Sequence, residues 1–334
     1  MTSDSAVFNV LSNYTALPRD VQAKRMGGGG GFSGSQIWQV TAAEGVYCLR
    51  QWPQEHPDRG RLTFIHYVLR LAADKGLPFV PAPLQSATGA TFIENQGRFW
   101  ELTPWLPGTA DFWARPTPER LGAALEALPR FHEATANCVA PPLGSGFAPA
   151  LVERQERLAG LLEGGLGQLE AAVSREPIRP QLDSLLGESL ANLRPVGLRL
   201  LPSLTAAAKR PLLLQPAIRD IWHDHVLFEG ERVTGIVDFG ALRIDTPLTD
   251  IARLVGSLVE DDAQFRKIAL DAYTAVRPLP AADRELVDLL DYTSVLIGLA
   301  NWAQWLYVDH REFDDLSAIE ARVSRLAGRL KRLR

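Results

Sequence analysis

The feature that most constrains this chain is a predicted hairpin with an aspartate at each side. Residues 218–240 read IRDIWHDHVLFEGERVTGIVDFG, in which two runs rich in Val, Ile and Phe flank the pair Glu229 and Gly230. This pattern predicts a tight β-hairpin. Asp220 precedes the hairpin and Asp238 ends it, so the fold must bring acidic side chains to one end of a small sheet.

These positions are the ones that phosphoryl transfer requires. One aspartate accepts the proton of an attacking hydroxyl, while a second aspartate and a loop ligand hold divalent metals on the nucleotide phosphates. Asp220 is the candidate base, and His225 and Asp238 are the candidate metal ligands, since the hairpin makes its two ends converge. The segment therefore predicts kinase chemistry with Mg²⁺ or Mn²⁺.

The remaining sequence divides by composition at a cluster of prolines. The first hundred residues predict a helix at 7–17, a glycine-rich loop, and two hairpins separated by a helix at 62–73. From residue 118 onward the pattern is mainly helical. A chain of 334 residues exceeds the ~250–300 residues at which one core stops growing. We therefore predict an N-lobe at 1–103 and a C-lobe at 104–334.

With these motifs in this order, the chain resembles the aminoglycoside phosphotransferase, choline kinase and homoserine kinase superfamily. Asp220 matches the catalytic aspartate, Asp238 the metal aspartate, and Asp250 a helix aspartate that buttresses the catalytic loop. The resemblance implies an α+β, protein-kinase-like two-lobe fold with a small antiparallel-sheet N-lobe and a mainly helical C-lobe. It implies ATP-dependent transfer of the γ-phosphate to a hydroxyl of a small-molecule acceptor.

The same resemblance implies a nucleotide site in the first hundred residues. The glycine-rich run corresponds to the loop that covers the phosphates, a basic residue on the following hairpin binds them, and the backbone of a later strand meets adenine. Bare backbone N–H groups in such a loop approach phosphates closely. The implied ATP-binding residues are Gly30, Gly31, Ser33, Gly34, Ser35, Arg50, Glu101 and Thr103.

Three positions depart from the family pattern. Arg50 replaces the usual lysine, although it keeps the charge and binds phosphate in bidentate fashion. His225 replaces an asparagine, and because imidazole suits Mn²⁺ better than Mg²⁺, we predict a relaxed or Mn²⁺-favouring preference. The helix glutamate that normally orients the basic residue is not evident, and His66 lies in that region. These departures keep open an alternative, a catalytically impaired pseudokinase that binds nucleotide or acts as a scaffold.

The acceptor is not specified by the sequence. An aminoglycoside, an amino alcohol, a sugar and a homoserine-like compound are all allowed. The acidic run at 260–262 either contributes to a pocket for polycations or is solvated surface. Arg219 either pairs with a carboxylate or contacts phosphate. The candidate substrate residues are Arg219, Asp224, Asn301, Trp302 and Trp305, of which the two tryptophans also fit a helical core.

Charge and hydropathy set further expectations. The net charge is −4, and the one basic run, at 329–334, is expected to be a frayed helix end, so no nucleic-acid partner is predicted. No apolar stretch or leader predicts membrane insertion or export, so a cytoplasmic location is expected. The nine residues between Gly240 and Asp250 leave little platform for a peptide, which disfavours a protein kinase. The oligomeric state is left open.

Overall fold

A computed structural model describes residues 3–15, 17–18, 20–26, 34–138, 144–313 and 315–333. The residues group into two compact units. The first comprises Met1–Cys138 with Asp220–Arg243, and the second comprises Val139–Arg219 with Ile244–Arg334. The predicted lobe boundary after residue 103 stays a prediction.

The first unit contains a five-stranded antiparallel sheet in the order β1-β2-β3-β5-β4. Its two predicted hairpins are confirmed. Gln96 and Gly97 both have positive φ, 55° and 69°, which a two-residue hairpin turn of the I′ type requires. Strand β1 has the polar sequence QAKR, which carries no apolar alternation and gave no signal. The strands are β1 (Gln22–Arg25), β2 (Gln36–Ala42), β3 (Gly45–Gln51), β4 (Ile93–Asn95) and β5 (Arg98–Pro104).

Three helices accompany this sheet: α1 (Ser3–Leu11), α2 (Arg59–Asp74) and α3 (Pro118–Thr135). Asp58 caps α2 by accepting a hydrogen bond from the backbone N–H of Arg61. One face of the sheet forms a core in which the rings of Trp38 and Trp100 stack with centroids 5.2 Å apart. The other members of this core are Val7, Val10, Leu11, Tyr14, Val40, Leu49 and Leu102.

The hairpin predicted within residues 218–240 is also confirmed, as β9 (Val226–Glu229) and β10 (Arg232–Ile236). The chain after β5 packs closely against it. Gly108 has φ 96°, and a Cβ atom there would lie 2.4 Å from Oγ1 of Thr234. Only glycine allows this approach, which fixes the hairpin within the first unit.

The second unit is mainly helical, with two small two-stranded sheets, β6–β7 and β8–β11. Helix α7 carries an apolar stripe at helical spacing, which is buried at Ile251, Leu254, Val255 and Leu258. None of the helices in the described residues combines the length and the apolar composition needed to cross a membrane. The helices are α4 (Pro149–Gly160), α5 (Leu166–Arg175), α6 (Pro180–Ala208), α7 (Leu248–Leu258), α8 (Ala263–Val276), α9 (Ala281–Tyr307) and α10 (Leu316–Arg332). The strands are β6 (Ser145–Phe147), β7 (Pro211–Leu213), β8 (Gln215–Ala217) and β11 (Arg243–Asp245).

Helix α6 continues through Pro195 because buried Val196 and Leu204 extend its apolar face. The helical C-terminal region is interrupted between Tyr307 and Leu316. One expectation about this unit was wrong, since Arg329 of the basic run does not lie in a frayed helix end. It is part of α10, is buried, and pairs with carboxylates of α9 and of the segment before α8.

Candidate functional site

The predicted catalytic and metal-binding residues all lie in the first unit, on the loop before β9 and directly after β10. Asp220 is exposed and lies in a bend, and a short 3-10 turn, His223–His225, leads from there into β9. The backbone N–H of Val237 donates to the carbonyl of His225 over 2.9 Å, which continues the hairpin pairing to its end. As a result, Nε2 of His225 lies 3.8 Å from Oδ2 of Asp238. The predicted convergence of these two residues is confirmed.

Asp238 has a left-handed backbone with φ 61°, a conformation that aspartate tolerates better than most residues. Its Oδ1 atom accepts from Nη1 of Arg50 over 3.2 Å and from the N–H of Gly240 over 3.4 Å. Burial by itself raises the pKa of Asp238, but the charge of Arg50 and the hydrogen bonds from Gly240 and Arg50 outweigh it and hold the pKa below its ordinary value. Asp238 is therefore ionised at neutral pH.

Arg50 lies on β3, as predicted, and its guanidinium also stacks over the Trp52 ring, 4.7 Å from the centroid. Burial by itself lowers the pKa of this group, yet the carboxylates of Asp238 and Glu101 outweigh burial and raise it. A permanently charged guanidinium thus lies beside Asp238, the candidate metal-binding aspartate.

Glu101 has a role in this cluster that the sequence analysis missed. It was singled out for its backbone, but its buried side chain reaches Arg50, with Oε1 3.9 Å from Nε. Nε2 of His66, on α2, donates to Oε2 of Glu101 over 2.6 Å, and Nδ1 of His66 lies 2.9 Å from Oγ1 of Thr91. Arg50 and Glu101 are opposite each other in the β3–β5 pair, and this strand register brings their side chains together.

The imidazole of His225 is oriented by its neighbour. Nε1 of Trp222 donates a hydrogen bond to Nε2 of His225 over 2.7 Å. The lone pair of Nε2 is therefore directed at the indole N–H. Asp238 offers a hard carboxylate oxygen, the donor that Mg²⁺ and Mn²⁺ prefer, and this donor set fits a divalent metal held jointly with nucleotide phosphates. In the described part of the chain, no group of three or more His, Cys, Asp and Glu side chains suits a metal by itself.

The nucleotide residues of the glycine-rich run are only partly placed. Gly30, Gly31 and Ser33 lie outside the described residues. Gly34 has φ 72°, and Ser35 is buried at the start of β2. Thr103 is buried on β5, opposite Cys48 of β3.

In the second unit, Asp250 holds the chain that leads to the catalytic loop. Its two carboxylate oxygens accept from the backbone N–H groups of Ile218, over 2.7 Å, and Arg219, over 2.6 Å. Arg219 has φ 66°, an uncommon conformation for its residue type. The contact that the resemblance implied for Asp250 is present, and it fixes a strained residue directly before Asp220.

The candidate substrate residues are distributed over both units. Trp302 is buried, with Trp305 and Phe313 packed edge-on against it. Asp224, in the first unit, is exposed, and its Oδ1 lies 3.3 Å from Nε2 of His223. Arg219 pairs with Glu153 and with Asp245.

Asn301 and Arg219 line a cavity of about 340 Å³ within the second unit. Polar and charged side chains dominate its wall. Those that bear on its chemistry are Glu153, Arg154, Arg157, Arg219, Thr249 and Asn301.

Comparison with known proteins connects this geometry to a family. The phosphotransferase enzyme family matches the chain over residues 27–286. The homoserine kinase of Acidiphilium cryptum (strain JF-5) is 28% identical over 262 residues, which cover 76% of this chain and 72% of the relative. The homoserine kinase of Agrobacterium fabrum (strain C58 / ATCC 33970) is 27% identical over 266 residues, again 76% and 72%.

Solved structures agree on the fold. An aminoglycoside phosphotransferase from Alicyclobacillus acidocaldarius superimposes with a TM-score of 0.67 at 17% identity, covering 97% of this chain and 93% of that one. Spectinomycin phosphotransferase, crystallised with ADP and spectinomycin, gives 0.70 at 12% identity, with 100% and 98% covered. The fold is therefore α+β and protein-kinase-like, as the sequence indicated.

Proposed function

Because the chain belongs to the phosphotransferase enzyme family, we propose that it transfers the γ-phosphate of ATP to a hydroxyl group of a small molecule. The observation that carries this proposal is the convergence of Arg50, His225 and Asp238 at the end of the β9–β10 hairpin. A cation for phosphate, a carboxylate for metal and a loop aspartate are the groups that phosphoryl transfer needs.

Each residue takes one role in the proposal. Asp220 orients the acceptor hydroxyl and accepts its proton. Asp238, with His225, holds Mg²⁺ or Mn²⁺, which when bound neutralises charge on the phosphates. Arg50 binds the phosphates, while Gly34, Ser35 and the backbone of Glu101 and Thr103 contribute to the ATP site. Catalysis is then mainly positioning and charge neutralisation.

The acceptor is a small molecule rather than a macromolecule in this proposal. The relatives above are named homoserine kinases, and the structural neighbours are named an aminoglycoside phosphotransferase and a spectinomycin phosphotransferase. Homoserine, an amino alcohol, a sugar and an aminoglycoside are therefore the compounds to be compared first.

The test measures ADP formation and phosphorylated product with each of these acceptors, for the wild type and for Asp220→Asn. We expect acceptor-dependent turnover whose kcat falls roughly 10²–10⁴-fold in Asp220→Asn, because a general base is lost while ATP binding is retained. The exposed cap substitution Asp262→Asn serves as a control and should leave turnover unchanged. Nucleotide binding without turnover on any acceptor would support the pseudokinase alternative instead.

A further inference from the structure

The cavity of the second unit has an unusual charge balance. Three guanidinium groups line it, from Arg154, Arg157 and Arg219, against one carboxylate, from Glu153. The charge of Arg219 is already balanced, because this side chain pairs with Glu153 and with buried Asp245. The positive charge of the cavity therefore resides on the two arginines of α4.

These two arginines have neutral hydrogen-bond partners. Nη1 of Arg154 donates to Oγ of Ser294 over 2.9 Å, and Nη2 of Arg157 donates to Oδ1 of Asn301 over 3.4 Å. Within the described ranges, neither guanidinium has a carboxylate at ion-pairing distance. Burial, followed by the charges of Arg253 and Arg219, lowers the pKa of Arg154 to about 10. An anion in the cavity would relieve this repulsion.

Ligand shape and charge follow from these contacts. A guanidinium offers two parallel N–H donors, which match the two oxygens of a carboxylate. A volume of about 340 Å³ is at the small end of ligand pockets, which suits a compound of few atoms. A polycation would meet like charge here, and the acidic run at 260–262 offers no substitute: Glu260 and Asp261 pair with Arg332, and Asp262 caps α8.

We infer that this cavity binds the carboxylate of a small hydroxy acid or hydroxy amino acid, with Arg154 and Arg157 as its ligands. That this compound is the phosphate acceptor rests on the proposed function. Arg219, which lines the cavity, directly precedes Asp220 in the sequence. Amino alcohols, neutral sugars and aminoglycosides lack the group that the cavity recognises.

The test compares two compounds that differ only in the charged group. L-Homoserine carries the carboxylate, and L-homoserinol has a neutral CH₂OH in its place. Titration calorimetry would measure the binding of each, with and without ADP and Mg²⁺, to the wild type, to Arg154→Met and to Arg157→Gln. Arg175→Met, an exposed arginine outside the cavity, is the matched control. Thermal unfolding would establish that each variant is folded.

We expect homoserine to bind at least about tenfold more tightly than homoserinol. Arg154→Met should weaken homoserine binding about ten- to 100-fold, the range of a lost charge-assisted contact, and leave homoserinol binding unchanged. Equal affinities for the two compounds, no homoserine binding, or an unchanged affinity in Arg154→Met would overturn the inference. Carboxylate-selective binding without phosphate transfer would leave the inference standing and reject the proposed function. Phosphate transfer to both compounds at equal kcat/KM would support the proposed function and reject the inference that the cavity recognises a carboxylate.

Discussion

Nε2 of His66 and Oε2 of Glu101 lie 2.6 Å apart, and the same carboxylate group lies 3.9 Å from Nε of Arg50. In the family that the sequence resembles, a helix supplies the carboxylate that orients the phosphate-binding cation. In this protein the carboxylate belongs to Glu101 on strand β5, and the imidazole of His66 on helix α2 forms a hydrogen bond with it. A long arginine side chain is thus fixed from two sides, by Glu101 and by Asp238.

Substituting Glu101→Gln should test this arrangement. Burial by itself raises the pKa of Glu101, but the hydrogen bond and charge of His66 and the charge of Arg50 outweigh it and lower the pKa. A carboxyl group with a lowered folded-state pKa contributes stability above its unfolded pKa, and the contribution is lost as the pH falls through the folded value. At pH 7 the variant should therefore unfold with a free energy about 1–3 kcal/mol lower than the wild type, and bind ATP about tenfold more weakly.

The difference between the two proteins should begin to shrink as the pH falls below about 4.3, the ordinary pKa of glutamate, and should continue to shrink toward the lowered folded value. Urea unfolding at pH 7 and about pH 3.5 would measure both differences. Glu94→Gln, on the neighbouring strand, removes an exposed carboxylate paired with Arg59 and should cost less than about 1 kcal/mol. A stability difference that stays constant with pH would contradict the role assigned to the Glu101 charge.

Trp222 is predicted to restrain the metal preference. Its indole N–H donates to Nε2 of His225, so this nitrogen is partly withheld from a metal. Trp222→Phe removes the donor and keeps an aromatic ring, and we expect Mn²⁺ to support activity at concentrations about tenfold lower than in the wild type, with a smaller change for Mg²⁺. Activity titrations with the two metals would measure this. An equal shift for both metals, or none, would place His225 outside the metal site.

Asp250 should be important for stability in the second unit. Both of its oxygens accept backbone N–H groups, and its side chain is inaccessible to solvent. Asp250→Asn offers only one accepting oxygen, so a buried N–H loses its partner at a cost of about 1–3 kcal/mol. Asp262→Asn changes an exposed helix cap to an equally good one and should be neutral. Equal denaturation curves for Asp250→Asn and the wild type would show that the loop does not depend on this carboxylate.

The sequence predicted the parts of the fold and site that depend on local pattern. The β9–β10 hairpin, the position of Asp238 at its end and the contact of Asp250 with the catalytic loop all follow from short motifs in a fixed order. The Glu101–His66 pair did not follow, since it depends on the register between β3 and β5 and on the packing of α2. The spacing of apolar residues predicts where helices and strands form, but it does not predict how one strand or helix is aligned with another.

Charged residues were the least predictable. The basic C-terminal run was interpreted as a solvated helix end, yet Arg329 is buried against Asp291 and Asp261. Similarly, the acidic run at 260–262 forms ion pairs and a cap within its own unit. Whether a charge is solvated or paired depends on partners far away in sequence, and composition does not contain that information. The cavity arginines, Arg154 and Arg157, lie in a stretch to which the sequence analysis assigned no chemistry for the same reason.

Thermal unfolding with ATP and either Mg²⁺ or Mn²⁺ tests the central claim most directly, in the wild type and in Asp238→Asn. Asparagine tolerates the left-handed backbone at this position, so the variant removes the charge with little strain. A ligand that binds only the folded state adds RT ln(1 + [L]/Kd), about 2.7 kcal/mol at a hundredfold excess over Kd. We predict a metal-dependent rise in the unfolding midpoint of the wild type that is lost in Asp238→Asn. No rise with either metal, or an equal rise in the variant, would contradict a metal–nucleotide site at Asp238.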